Sequence, residues 1–346
     1  MRLLRNLVIL TCWYSSAQAI SLGVPLHVRT TQAELDKNSF LKTPPDVTKN
    51  RLYTIPPNPA DRQSLFTRIE GVLSPQPDIK APIKNNLAIV EYNIERGDHV
   101  AQQVEKLSKG LGIIPDIILL TESDRGCSRT ENKNITYEYA KKFNMYYVYG
   151  TEFYEEALNC EHGNAILSKY PLENIKMVPF ASDGDYEITT AQRMGKRMYL
   201  RADVVIGTKK LRVYVTHLAA RFMEERTVRA QQAAQLAQDA ATSPYPVVVG
   251  GDFNAFDYMA NLRGIPSIDY VAGEFLKRDF KDAHMQLPVN QRITCYQDIS
   301  ETIKYPLVID MFFVKNLTVK RSGVGPESVF KGLSDHFPIW AEIVLP

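Results

Sequence analysis

Acidic, amide and imidazole side chains directly follow short apolar runs at six places along the sequence. The set comprises Asn93, Glu122, His217, Asp252, Asn254, Asp310, Asp335 and His336. Carboxylate and amide oxygens suit a hard divalent ion such as Mg²⁺, Mn²⁺ or Ca²⁺, whereas zinc would favour cysteine or closely spaced histidines. An imidazole beside such an ion can hold charge or supply a proton to a reacting phosphate. The residue types therefore point to metal-assisted hydrolysis of a phosphoester.

Several of these residues have simpler explanations when they are taken singly. An asparagine at a strand end, such as Asn93 or Asn254, is often a turn former, and His217 could be a hydrogen-bonded core histidine. Glu122 is harder to explain in this way, because it follows five apolar or β-branched residues and the strand would otherwise bury an unpaired charge. The functional interpretation requires that the strand ends converge on one edge of the sheets.

The elements that must bring these residues together are short apolar strands separated by loops rich in turn residues. The predicted strands span 87–92, 116–121, 145–149, 164–168, 197–205, 211–216, 247–250, 309–314 and 339–344. Helices are predicted at 100–111 and at 223–241, the latter without internal glycine or proline. This pattern indicates a sheet-rich domain over residues 86–346.

Two further segments precede this domain. Residues 1–19 carry two arginines, an apolar run and small residues ending at Ala19, which together predict a cleaved signal peptide. The alternative is a membrane anchor, but the apolar run is too short to span a bilayer. Residues 20–85 are repeatedly interrupted by proline and are predicted to form an extension laid over the main domain, with a partner-binding segment as the alternative. We therefore expect an exported protein, secreted or periplasmic.

Charge and cysteine content narrow the expected surroundings of the protein. The 346 residues include 41 Lys and Arg against 39 Asp and Glu, and the predicted cleavage would leave a formally neutral chain. Attraction of a polyanion by net charge is therefore not expected. In an oxidising compartment we expect a Cys127–Cys160 disulfide, with Cys295 left over, and the alternative is three separate thiols.

Seven short motifs occur in the order and rough spacing typical of one family. They are Tyr92-Asn93, Thr121-Glu122, Gly163-Asn164-Ala165-Ile166-Leu167-Ser168, Thr216-His217-Leu218, Gly251-Asp252-Phe253-Asn254, Ile309-Asp310 and Ser334-Asp335-His336. From residue 86 onward the sequence thus resembles the endonuclease/exonuclease/phosphatase superfamily, and its Gly-Asp-Phe-Asn and Ser-Asp-His motifs are the most specific. The resemblance implies an α+β fold of the DNase I-like type. This fold is a four-layer αββα sandwich, in which two packed mixed β-sheets are flanked by helices.

The resemblance also implies a role for each matched residue. A divalent ion would be held by Asn93, Glu122 and Asp335, with Mg²⁺ expected and Mn²⁺ or Ca²⁺ as alternatives. The catalytic residues would be His217, Asp252, Asn254, Asp310 and His336. Within this group Asp310 would hold His336, and its negative charge would raise the pKa of that imidazole. The leaving-group proton is assigned jointly to the two histidines.

Two weaker candidates for substrate binding follow from neighbouring positions. Arg125 comes shortly after Glu122 and could grip a phosphate with two hydrogen bonds, with an ordinary salt bridge in a solvated loop as the alternative. Asn164 matches a family position near the second histidine and could orient it.

The resemblance implies a secreted, divalent-metal-dependent phosphoester hydrolase, most simply a nuclease-like phosphodiesterase. Nucleic acid is the commonest substrate in such a family, although a neutral chain lacks the basic surface that gives polyanion binders their affinity. Phospholipid head groups, with peripheral membrane contact, and small phosphorylated metabolites are alternative substrates. No transmembrane segment is expected, and the oligomeric state is left open. A catalytically dead binding module is the alternative of another class, but every matched position retains its functional residue, which favours an enzyme.

Overall fold

The computed structural model describes residues 81–155, 158, 160–182, 193–221, 225–258, 270–298 and 304–346, with short strands at 25–26, 30–31, 51–52 and 68–72. The predicted signal peptide, residues 1–19, lies outside the described residues. Among the described residues, no helix is long and apolar enough to cross a membrane.

Strands dominate the described part of the chain. They are β1 (Pro25–Leu26), β2 (Thr30–Thr31), β3 (Arg51–Leu52), β4 (Arg68–Val72), β5 (Asn86–Arg96), β6 (Ile117–Arg125), β7 (Tyr146–Glu155), β8 (Cys160–Ser168), β9 (Leu172–Pro179), β10 (Arg193–Gly195), β11 (Met198–Ile206), β12 (Lys209–His217), β13 (Val247–Asp252), β14 (Lys281–Asp282), β15 (Cys295–Asp298), β16 (Lys304–Leu307), β17 (Asp310–Lys315), β18 (Thr318–Val324) and β19 (Ile339–Val344). The α-helices are α1 (Val100–Gly110), α2 (Ile135–Phe143), α3 (Arg226–Ala241), α4 (Val271–Leu276) and α5 (Glu327–Phe330).

Two large sheets carry the architecture. The first has the order β18-β19-β5-β6-β8-β7-β4-β2, with β10 also paired to β7, and the second has the order β14-β17-β13-β12-β11-β9. Both sheets are mixed, because β5 pairs with β6 and β12 with β13 in parallel, while their outer strands are antiparallel. A separate hairpin, β15 and β16, stands beside them.

The sheets pack face to face, and helices cover their outer faces. Alternate residues of β5 and β12, such as Ile89 and Val213, meet in the core between the sheets. A second core lies under α1 and α2 on the outer face of the first sheet, and a third lies under α3 and α4 on the second. The predicted four-layer αββα sandwich is confirmed.

Part of the predicted N-terminal extension continues the first sheet. The pairing runs from β7 to β4 and from β4 to β2, so residues well before the predicted boundary at 86 add strands to the domain's edge. The boundary itself stays a prediction.

A disulfide joins Cys127, just after β6, to Cys160 at the start of β8, as expected from the sequence. Cys295 is buried and takes no part in this disulfide. The bond links the two strands that carry the motif residues Glu122 and Asn164.

Candidate active site

The motif residues meet where the strands of both sheets end. Asn93 and Glu122 lie on neighbouring strands of the first sheet. In the second sheet His217 is opposite Asp252, and Asp252 is opposite Asp310. Opposite residues on neighbouring strands point to the same face, so the second sheet presents these three side chains together.

Irregular strand pairing directs two acidic side chains toward this edge of the sheets. The pairing register of β5 shifts after Asn93 and that of β6 shifts after Leu120. Glu95 and Glu122 lie within these shifts and have positive φ angles of 45° and 55°. Bulges of this kind redirect side chains and recur beside functional sites.

Gly251 permits the close approach that places Asp252. A Cβ atom at this position would lie 1.9 Å from the carbonyl oxygen of Thr216 on the adjacent strand. Any other residue would push β12 and β13 apart. Steric exclusion therefore explains why the Gly-Asp-Phe-Asn motif begins with glycine.

Asn93 connects the two sheets at the centre of the site. Its Nδ2 donates to Asp252 Oδ2 at 3.0 Å and to Glu122 Oε1 at 3.3 Å. His217 lies against the same two carboxylates, with its Nε2 3.4 Å from Asp252 Oδ2 and 4.0 Å from Glu122 Oε1. The Oδ1 atom of Asn93 also accepts a hydrogen bond from the backbone N–H of Glu95 at 3.1 Å, so the residue shapes the local turn as well as linking the sheets, and its role as a metal ligand stays a prediction.

His336 is held by Asp310 and faces Asp252. Its Nδ1 is 2.8 Å from Asp310 Oδ2, while its Nε2 is 3.7 Å from Asp252 Oδ2 and 4.0 Å from Asp335 Oδ1. Although burial alone would lower the pKa of His336, the negative charge of Asp310 raises it well above its usual value. The imidazole is therefore a cation at neutral pH.

Asp252 is the acid that lies close to both imidazoles, 3.4 Å from His217 Nε2 and 3.7 Å from His336 Nε2. Burial, reinforced by the negative charge of Asp310, raises the pKa of Asp252 to about 8. Its second oxygen, Oδ1, accepts a hydrogen bond from the backbone N–H of Asn254 at 2.8 Å. The Asn254 side chain donates to the carbonyl oxygen of Leu218 at 3.1 Å, so it braces the loop that follows His217.

Three acidic residues, Glu95, Glu122 and Asp335, form what we call the carboxylate cluster. Glu95 Oε2 accepts a hydrogen bond from the backbone N–H of Asp335 at 3.0 Å. Burial, followed by the negative charges of Asp335 and Glu122, raises the pKa of Glu95 to about 7. Sequence reasoning missed Glu95, although its position two residues after Asn93 on a strand was the available signal.

Glu122 itself remains ionised. Burial opposes this charge, but the positive charges of His162, Arg96 and His336 outweigh it and lower the pKa of the Glu122 carboxyl.

A further acid, Glu91, lies below the site and was also missed. It is fully buried, and Thr121 Oγ1 donates to its Oε1 at 3.5 Å. Burial, with the negative charges of Asp310 and Asp252, raises the pKa of Glu91 well above its usual value. Its surroundings therefore favour the neutral, protonated form of the carboxyl.

The two predicted substrate-binding residues lie inside the protein. Arg125 is 1% exposed, with its NH1 3.5 Å from Glu161 Oε2 and its guanidinium over the ring of Tyr149. This position contradicts both the phosphate-gripping role and the solvated-loop alternative, because the strand continues through Arg125 and turns its side chain inward. Asn164 is also fully buried, opposite Gly150 on β7, and its role stays a prediction.

One group of possible ligand atoms has a different explanation. Asp252, Asp310 and His336 offer atoms within 4.8 Å of one another, close enough to surround a small cation. The 2.8 Å hydrogen bond between Asp310 and His336 would have to break to free them. We therefore interpret these two residues as a hydrogen-bonded pair next to Asp252.

Comparison with known proteins places this arrangement in a family. The model of the Endonuclease/Exonuclease/phosphatase family matches residues 90–336, which include Asn93 and extend to His336. The chain belongs to this family. Members of the endonuclease/exonuclease/phosphatase family are phosphoester hydrolases that generally depend on a divalent metal.

Curated relatives match about half of the chain. The proteins called "Uncharacterized protein YbhP" from Escherichia coli K12 and Shigella flexneri are 29% identical over 188 residues, which cover 53% of this chain and 63% of theirs. The chain thus covers less than two thirds of the length of these relatives.

The solved structures show the same fold at low identity. The human Nocturnin catalytic domain with a bound sulfate anion is 16% identical, with a TM-score of 0.55 and coverage of 76% of this chain and 94% of that domain. Danio rerio TDP2, complexed with a single-strand DNA product, is 18% identical, with a TM-score of 0.52 and coverage of 75% and 99%. A family protein from Leptotrichia buccalis is 14% identical, with a TM-score of 0.54 and coverage of 74% and 99%.

The site fits the divalent cation that the endonuclease/exonuclease/phosphatase family implies. The carboxylate cluster offers only oxygen atoms, the ligands preferred by hard cations. Burial and the neighbouring negative charges of Asp335 and Glu122 both raise the pKa of Glu95, and a bound cation would offset both effects.

Proposed function

We propose that the chain is an exported, divalent-metal-dependent phosphodiesterase of the nuclease type. The observation that carries this proposal is the position of Asp252 Oδ2 between two imidazoles, 3.4 Å from His217 Nε2 and 3.7 Å from His336 Nε2. The carboxylate can accept a proton, the imidazoles can bind a phosphate, and the adjacent carboxylate cluster can bind a cation. Their proximity brings the three functions together at one site.

The cation would be held by the carboxylate cluster with Asn93 beside it. When bound, it would supply positive charge that neutralises the phosphoryl oxygens and stabilises the leaving oxygen. We take it to be Mg²⁺, with Mn²⁺ or Ca²⁺ as alternatives, because all of the candidate donor atoms are oxygens.

Asp252 would accept the proton of the attacking water. The backbone N–H of Asn254 fixes one of its oxygens, so the other is directed toward the imidazoles. With its pKa at about 8, Asp252 is a stronger base than an ordinary aspartate, and it would accept the proton in its ionised form, which the charge of a bound cation favours.

The two imidazoles would bind the phosphate and deliver the leaving-group proton. His336, cationic and oriented by Asp310, would contact the scissile phosphate and stabilise the charge that develops there. His217, on the opposite side of Asp252, shares with His336 the assignment of the leaving-group proton.

Hydrolysis of bis-p-nitrophenyl phosphate by the purified mature chain tests the proposal. We expect turnover that EDTA abolishes and Mg²⁺ or Mn²⁺ restores, with slower turnover of the monoester p-nitrophenyl phosphate. Absence of any metal-dependent turnover would favour a binding module. Glu173→Gln serves as the control for acid substitutions at the site. Glu173 is half-exposed on the distant strand β9 and forms an ion pair with Lys210.

Two assays separate the classes of substrate. Plasmid nicking that persists at moderate salt would support a nuclease, since a neutral chain gains little from long-range attraction. Release of choline phosphate from phosphatidylcholine vesicles, without nicking, would support a phospholipid phosphodiesterase instead. N-terminal sequencing of protein recovered outside the cytoplasm tests export, with Ile20 expected as the first residue.

A further inference from the structure

A small, partly enclosed cavity lies between the two sheets beside Asp310. Its polar lining includes Tyr258, Asp282, Arg292 and Thr294. The volume open to the centre of a water molecule is about 10 Å³. That is enough for one water and too little for an organic ligand.

Asp310 faces this cavity with an oxygen that needs a partner. Its Oδ2 is engaged by His336, but its Oδ1 is buried without a hydrogen bond from any of the described residues. Along β17 the side chains of Phe312 and Val314 point into the core between the sheets, and Asp310 shares their direction because residues two apart face the same side. An unsatisfied carboxylate oxygen in that interior is costly.

Groups that could anchor a water are already fixed on the other wall. Asp282 accepts hydrogen bonds from the hydroxyl of Tyr258 and from the backbone N–H of His284. Arg292 lies 3.6 Å from Asp282 Oδ2 and donates to the carbonyl oxygen of Met285 at 2.6 Å.

Thr294 supplies a further hydrogen-bonding group. Its Oγ1 accepts from the backbone N–H groups of Ile309 and Asp310, both at 3.2 Å, which leaves its hydroxyl hydrogen available to another acceptor. A buried water typically makes two to four such bonds, so the wall offers enough partners.

We propose that one buried water occupies this cavity, donates to Asp310 Oδ1 and links it to Tyr258, Asp282 and Arg292. This water would fix the rotation of the Asp310 carboxylate and thereby the imidazole of His336. Tyr258, Asp282 and Arg292 are then positioning residues that act on the reaction through Asp310. This role rests on the proposed function, whereas the water itself does not.

A crystal structure of the full mature chain tests the water directly. We expect a single density peak in the cavity within hydrogen-bonding distance of Asp310 Oδ1. An empty cavity, or a direct hydrogen bond from Glu91 to that oxygen, would overturn the proposal. This readout is independent of activity, so it decides the matter even if the chain hydrolyses no phosphoester.

A cavity-filling variant tests the positioning role. Val308 lines the cavity and is 5% exposed, so Val308→Ile would displace the water without removing a polar group. We expect kcat to fall roughly tenfold with KM and metal affinity unchanged, as for other groups that orient a reacting residue. The matched control is Val205→Ile, on the distant strand β11, which should retain wild-type kcat.

The second variant, Tyr258→Phe, covers the case in which Val308→Ile does not fold. It removes one hydroxyl from the wall and should lower kcat in the same direction. A lower melting temperature with unchanged kcat in the folded variants would show that the cavity residues are structural only.

Discussion

Two groups of charged side chains, one largely buried and one half-buried, differ in how their charges are balanced. One is the carboxylate cluster. The other, which we call the arginine cluster, comprises Asp124, Arg129, Glu155 and His162. In the arginine cluster Arg129 donates to both oxygens of Asp124, at 2.6 and 2.8 Å, and to Glu155 at 3.0 Å. Burial opposes the charge of Asp124, but Arg129 lowers the pKa of this carboxyl to about 2.

The difference separates a structural set of charges from a functional one. The guanidinium of Arg129 neutralises its partners within the chain, so the arginine cluster is complete without a ligand. In the carboxylate cluster burial, followed by the negative charges of Asp335 and Glu122, raises the pKa of Glu95 to about 7, and no cation among the described residues outweighs these effects. Carboxylates at a raised pKa are typical of sites that bind a cation or move a proton.

The largest effect is expected from removing the residues that we propose to act on the phosphate. His336→Ala and Asp252→Ala should each lower kcat by roughly a thousandfold or more, because each removes a preorganised group from the transition state. Steady-state kinetics on bis-p-nitrophenyl phosphate measure the loss, and circular dichroism should show an intact fold. Wild-type-like rates in either variant would undo these assignments.

Breaking the arginine cluster should damage stability instead. Arg129→Met would leave the fully buried Asp124 with His162 as its remaining charged partner and lower the free energy of unfolding by about 3 kcal/mol. Urea denaturation measures this effect, while kcat of the folded fraction should stay within a few-fold of wild type. Because the pKa of Asp124 is lowered, the contribution is present above about pH 4 and is lost as the pH falls toward 2. If Arg129→Met kept wild-type stability but lost most of its kcat, the structural role of the arginine cluster would be contradicted.

Glu122→Gln should weaken cation binding while sparing the fold. Loss of a charged ligand is expected to raise the dissociation constant of Mg²⁺ or Mn²⁺ by roughly 30-fold, about 2 kcal/mol. Isothermal titration calorimetry measures this, and the rise in melting temperature that the cation produces in the wild type should shrink accordingly. Glu173→Gln should behave as wild type, and equal cation affinity in both variants would contradict the assignment.

Glu95 gives the smallest and most specific effect, which depends on pH. With the pKa of Glu95 at about 7, the carboxyl takes up a proton below pH 7 that a cation must displace. Apparent Mg²⁺ affinity should therefore fall by up to about tenfold per pH unit below pH 7.

The Glu95→Gln variant should lose most of this pH dependence. In the absence of metal it should also be more stable than wild type at pH 8, by about 1 kcal/mol after allowance for solvent exposure, but not at pH 5. The sign follows because a carboxyl whose folded pKa is raised destabilises the protein above that pKa. An unchanged pH dependence of binding would remove Glu95 from the carboxylate cluster's cation site.

Sequence patterns predicted the framework well where burial leaves a strong pattern. Each predicted strand overlaps an observed one, since strands such as β6 are almost entirely buried and therefore read as apolar runs. Among the strands that the sequence did not predict, β9 and β18 are largely half-exposed and mix charged with apolar residues. The helix α2 was missed because it is short, although Asn134 caps it by accepting from the N–H of Tyr137.

The order and types of the motif residues were enough, by themselves, to indicate the family, the fold and a hard-cation phosphoester chemistry. They sufficed because an apolar run followed by a polar residue can be recognised in the sequence without knowledge of its tertiary contacts. Only the tertiary structure decided that Glu95 joins the carboxylate cluster and that Arg125 points inward to Glu161. Local sequence does not specify those outcomes. Bulges and neighbouring strands determine which side chains reach the site, and burial determines which acids have raised pKa values.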